Sequence, residues 1–209
     1  MKTQRGYTLI ELMISLVIGL VALAAVTSVF ISMLGTNTTQ MKTIRLNQEL
    51  RGAMTNIVRD LRRSGFNAYA AQQLGPPIAS FGFSQLTLGG IAPVDGSAQS
   101  TVNFAYDATY ATYDPASPTI EVETFGYQLN NGAIRACKDT VSTCSNWERI
   151  TDDSLVNISA LTFLPKITSV GGLNHTTITV TLTGNLIADT NFTRTLVQTV
   201  VLRNPGLVP

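Results

Sequence analysis

Chemistry-bearing side chains are scarce in this 209-residue sequence, which has one histidine, two cysteines and one tryptophan. His175 has no second histidine with which to share a metal, and two cysteines leave a zinc site short of ligands. No G-x-S-x-G, Walker loop or H-E-x-x-H occurs, so the motif content points to no enzyme, no cofactor and no bound metal. Charged residues make up 13% of the chain, against roughly 25% in a soluble domain. Lysine and arginine number 14 against 13 aspartate and glutamate, a balance that gives no bulk attraction to nucleic acid. Thr, Ser, Asn and Gln carry the polarity instead, which fits an exported, β-rich surface better than a cytosolic enzyme. The length allows one ordinary domain with an appendage, and no internal repeat is visible.

What the sequence does have is a long apolar run near its start. From Tyr7 to Leu34, 28 residues hold a single charge, Glu11. As a helix this run spans about 42 Å, more than the roughly 30 Å of a bilayer's hydrocarbon core. Lys2 and Arg5 precede it, so the positive-inside rule keeps the first six residues in the cytoplasm and sends the rest outward. In an exported protein, Cys137 and Cys144 of CKDTVSTC close a short loop and are expected to form a disulfide.

Two ordinary readings of the run stay open. One is a secretory signal peptide cut after Ala22-Leu23-Ala24, which would release a β-rich binding protein such as an adhesin beginning at Ala25. The other is a plain N-terminal anchor. Neither accounts for Glu11, because an ionisable residue inside a membrane segment is expensive and by default marks function.

After the polar stretch GTNTTQ, the residues Leu46, Leu50, Met54, Ile57 and Leu61 recur at intervals of three or four, the pattern of one amphipathic helix. If it continues the apolar run, Tyr7 to Arg63 makes a helix of about 85 Å. Arg62 and Arg63 complement the dipole of its last turn, and Gly65 suits the C′ position. From Phe66 onward the period becomes two. TVNFAY, TIEVE and TITVTL alternate, TRTLVQTVVL is strand-like, and Asn130-Asn131-Gly132 suits a hairpin turn. An antiparallel sheet of five to eight short strands is expected. His175 is expected at a loop-to-strand boundary on the surface, and Trp147 in the core rather than at an interface. Asp152 and Asp153 are weak calcium candidates, since no D-x-D-x-D spacing supports them.

Arg5-Gly6-Tyr7-Thr8-Leu9-Ile10-Glu11-Leu12 resembles the leader junction of type IV prepilins and type II secretion pseudopilins: a short basic leader ending in Gly, an aromatic residue, and Glu at the fifth mature position. Most relatives have Phe where this chain has Tyr7, a change that keeps the ring. The stretches RDLRRSGF, FGYQLNNGAIRAC, LVNISALTFLP and VVLRN are similar to the PilW-type minor pilins and to the J-type minor pseudopilins.

The resemblance implies an α+β fold in which a long N-terminal helix packs on an antiparallel β-sheet head. It implies a leader of residues 1–6, a membrane and filament-core helix over 7–34, its amphipathic continuation over 35–64, and an extracytoplasmic head over 65–209. Prepilin peptidase would cut between Gly6 and Tyr7 and methylate Tyr7, and Glu11 would pair with that amine on a neighbouring subunit during assembly. The implied partners are other minor and major pilins, the peptidase and the inner-membrane assembly platform, with no direct nucleic-acid partner. The implied location is a single pass of the inner membrane with a periplasmic head, and then the pilus. The implied function is a non-enzymatic minor pilin supporting pilus assembly, with a minor pseudopilin of a secretion system as the same-class alternative.

Overall fold

In the computed structural model, residues 6–66, 86–89, 94–107, 123–140, 144–170 and 173–202 are described. The connection AAQQLGPPIASFG and the alternation at Ile120 and Val122 lie outside them. The chain divides into two compact units, Met1–Ile44 and Arg45–Pro209. Helix α1 (Leu9–Arg63) supplies residues to both.

The first unit is the opening of α1. Its polar stretch is helical too, and threonine hydroxyls there bond carbonyls one turn back. Thr36 Oγ1 donates to Ser32 O (3.1 Å), Thr39 Oγ1 to Gly35 O (3.1 Å) and Thr43 Oγ1 to Thr39 O (3.1 Å). Such bonds satisfy the hydroxyls without needing a neighbour.

In the second unit, α1 from Arg45 packs against eight strands in two antiparallel sheets. Sheet A has the order β1-β2-β3-β4-β5, formed by β1 (Thr87–Leu88), β2 (Thr101–Tyr106), β3 (Glu123–Asn130), β4 (Ala133–Asp139) and β5 (Trp147–Arg149). Sheet B has the order β6-β7-β8, formed by β6 (Val156–Val170), β7 (Leu173–Leu186) and β8 (Thr193–Val201). The five apolar residues expected on the helix stripe, Leu46, Leu50, Met54, Ile57 and Leu61, are all buried. Each such side chain contributes about 1.5–3 kcal/mol relative to exposure. They meet Phe104, Tyr106, Phe125 and Tyr127 of sheet A and Leu161, Phe163, Ile178, Val180 and Leu182 of sheet B in one core. Leu50 reaches sheet B where Gly184 carries no side chain: a Cβ there would lie 3.0 Å from Leu50 Cδ2.

Helix and hairpin end as their residues dictate. Gly65 takes a positive φ of 75° just past Arg63, and its N–H donates to Ala105 O of β2 (2.9 Å), tying the helix end to sheet A. Asn131 and Gly132, with φ of 50° and 71°, form the two-residue turn between β3 and β4.

The expectation of one sheet differs from the two observed. The sheets are joined edgewise through β6, where Ile158 N–H donates to Gly132 O (2.7 Å) and Phe163 exchanges backbone bonds with Gln99 (2.7 and 3.0 Å). Pro165 lies inside β6 because only β7 pairs with it as a ladder, leaving one side where a missing N–H costs nothing. His175 is exposed and lies within β7 rather than at its boundary.

Candidate functional site: an apolar helix with a capped, acidic start

The candidate site is the first unit, and its chemistry begins at the helix cap. Gly6, Tyr7 and Thr8 are outside the helix, which starts at Leu9. Thr8 stands at the N-cap, its Oγ1 accepting from the Glu11 N–H at 3.3 Å. Thr8-Leu9-Ile10-Glu11 is therefore a capping-box sequence, a signal that reading Glu11 only as a misplaced charge overlooks. Glu11 also places a negative charge in the first turn, against the positive end of the macrodipole. A local role thus accompanies any role in assembly. Both Tyr7 and Glu11 are exposed, with Tyr7 at 83%.

Beyond the cap the helix is apolar on every side. Leu9, Ile10, Leu12, Met13, Ile14, Leu16, Val17, Ile18 and their successors to Leu34 are exposed, and no described residue between 6 and 42 is even half-buried. A helix hydrophobic all round needs burial from outside itself, in a membrane or among other helices. By length and composition this one can cross a membrane.

The head holds two polar networks that position its elements. Asp60, near the end of α1, is buried, accepts from Tyr127 Oη at 2.6 Å and pairs with Arg59 Nε at 3.2 Å. Burial first, and the bond to Asp60 second, push the Tyr127 hydroxyl far above the usual tyrosine range. The bond to Asp60 raises the Arg59 guanidinium as well. In sequence Asp60 is one polar letter among the arginines of VRDLRR, and no local signal marks it as buried.

The second network surrounds the disulfide Cys137–Cys144, which is present as expected. Asp139 accepts from Ser145 N (2.8 Å), Ser145 Oγ (2.9 Å), Asn146 N (3.2 Å) and Asn146 Nδ2 (3.1 Å). These donors, Ser145's first, pull its carboxyl down to about 2. Gly126, Cys137 and Trp147 stand in one row across β3, β4 and β5. A Cβ at Gly126 would lie 2.9 Å from the Trp147 ring and 3.0 Å from Cys144 Sγ, so the missing side chain makes room for both. Trp147 is half-buried over this row, short of the full burial expected of it.

Asp152 and Asp153 have separate partners. Asp152 Oδ1 accepts from Ser154 Oγ (2.6 Å) and Ser154 N (2.9 Å), bonds that lower its pKa, while Asp153 pairs with Arg149. Among the described residues, no group of three or more His, Cys, Asp or Glu is placed to hold a metal.

Comparison with known families agrees with this geometry at both ends of the chain. Residues 1–27 match the prokaryotic N-terminal methylation motif, which with the long apolar helix and the antiparallel sheets defines a type IV pilin-like protein. Residues 39–202, more than half of the chain, match prepilin peptidase-dependent protein B, and the chain belongs to that family. No curated protein and no solved structure matches it. The pilin-like families are structural subunits, and the apolar helix with its methylation motif fits anchoring in the inner membrane.

Proposed function

We propose that this chain is a minor pilin of PilW type, a subunit that primes or supports type IV pilus assembly with other minor pilins near the filament tip. Residues 1–6 act as the leader, 7–34 as the membrane and then filament-core helix, 35–64 as its continuation, and 65–209 as the extracytoplasmic head. Prepilin peptidase cuts between Gly6 and Tyr7 and methylates the new amine. Glu11 then meets the Tyr7 amine of a neighbour, and because a buried charge without its partner is severely penalised, the pair selects one axial register.

The observation that carries this reading is the apolar surface from Leu9 to Leu34, exposed on all sides and begun by a capped, acidic turn next to a non-helical Gly6-Tyr7. A simple anchor would need the apolar surface but not the acid.

The test is the mature N-terminus, by intact mass and terminal sequencing of the chain recovered from cells that hold the peptidase. A methylated start at Tyr7 is expected, and any start beyond residue 20 ends the reading. Glu11→Ala should leave the head folded while the subunit is lost from sheared filaments; normal incorporation would remove Glu11 from the mechanism.

A further inference from the structure

Sheet B ends on β8, and among the described residues no strand lies beyond it. Strand edges are normally blunted by shortness, proline, charged side chains (lysine above all) or a bulge. β8 is nine residues long, has no proline or lysine, and keeps unbroken register with β7 from Thr193 to Val201. All its residues except Leu196 and Val200 are exposed, including Val197 at 63% and Val201 at 58%. Backbone donors and acceptors thus face outward along a long strand whose one charge, Arg194, stands near its start.

Beside this edge lies a cleft of about 350 Å³ between α1 and β8, lined by Thr55, Val58, Arg59, Arg62, Arg63 and Gln198. The helical residues share one face by their spacing, and Gln198 is the contribution of the edge strand. Three of the lining residues are arginines. Arg59 is paired with Asp60, and Arg63 lies over the Tyr106 ring at 5.9 Å. Arg62 has no carboxylate partner among the described residues. The cleft therefore carries uncompensated positive charge next to an open strand edge.

We infer that β8 and the arginine cleft together form a docking site for an extended acidic segment of a partner subunit. The segment adds beside β8 as a fourth strand and turns carboxylates into the cleft. An added strand lies about 4.8 Å from its neighbour, with every second side chain on the helix side, where the arginines stand. Its backbone bonds supply affinity and its alternate side chains supply choice. Carboxylate to guanidinium bonds are the strong, charge-assisted kind. A phosphate headgroup would answer the arginines but leave the strand edge unpaired, which is why a peptide fits both features better. The filament reading bears only on who supplies the segment.

The experiment uses the full chain in detergent micelles and a fluorescent nine-residue peptide alternating glutamate with threonine and valine, followed by anisotropy. The glutamate peptide should bind at least ten-fold more tightly than its lysine counterpart. Methylating alternate backbone nitrogens of the probe should abolish binding. Arg62→Glu, an exposed change verified as folded by circular dichroism, should weaken it by about five-fold or more. Equal binding of the two peptides, undiminished binding of the methylated probe, or indifference to Arg62→Glu would each overturn the inference. So would Arg62-dependent binding of phosphatidylglycerol micelles with no binding of the peptide. A mature start at Tyr7 without peptide binding sinks only this docking site; peptide binding with a different start sinks only the filament reading.

Discussion

The two halves of α1 use the same backbone and the same kinds of apolar residue, yet they are stabilised in opposite ways. In Leu46 to Leu61 the apolar residues keep to one stripe, and the chain's own sheets cover that stripe. In Leu9 to Leu34 they cover the whole circumference, and nothing in the described chain covers them. Periodicity alone tells the halves apart: a stripe asks for a sheet, and a full coat asks for a membrane or a bundle. Folding of the head and burial of the first half are therefore separate problems, and substitutions should divide accordingly.

The largest expected effect is Ile57→Ala, which empties part of the core and should cost about 3 kcal/mol in urea denaturation followed by Trp147 fluorescence. Leu20→Ala in the same assay should change head stability by less than about 0.5 kcal/mol. Equal losses would break the comparison. Next, replacing both Cys137 and Cys144 by serine should cost about 2.5 kcal/mol, from the entropy of closing so short a loop. The readout is the same transition in the absence of reductant.

Tyr127→Phe should cost about 1–2 kcal/mol by leaving the buried Asp60 oxygen short of a donor. It also has a pH signature. The folded-state pKa of Tyr127 is raised, so its contribution is complete below about pH 10 and is lost as pH rises, at up to about 1.4 kcal/mol per unit. Parent and variant should converge in alkali; a gap that stays constant to pH 11 would show that the hydroxyl does not titrate as inferred. Smallest is Asp139→Asn, which should lower the thermal midpoint slightly at pH 7. The Asp139 pKa is lowered to about 2, so the difference should hold above pH 4 and fade as pH falls through 2.

How much could be read from the letters follows the range of the interactions. The helix stripe, its end at Gly65, the Asn131-Gly132 turn and the strands TVNFAY and TITVTL are set by neighbours within a few residues, and each appears where its pattern placed it. The division into two sheets was not legible. It depends on which distant strands pair and on the irregularity of β6 between Ile158 and Ala160. Asp60 was hidden for the same reason, since its partner Tyr127 is 67 residues away and surface and core aspartates are spelled alike. Of the candidate site, Glu11 stood out by its charge inside an apolar run and Gly6 and Tyr7 by the resemblance of their junction to prepilins, while the Thr8 cap was legible in principle and outshone by the acid beside it.

That cap has a further consequence. By stopping the first turn at Leu9, Thr8 works as a ruler, holding the Gly6-Tyr7 bond a fixed two residues outside the coil. A protease needs its substrate unwound, so under the proposed cleavage at Gly6-Tyr7 a junction kept just ahead of a fixed helix start is presented at the same offset each time. Thr8→Ala should blur that offset, showing as a mixture of neighbouring starts in the mass spectrum rather than as a loss of the product.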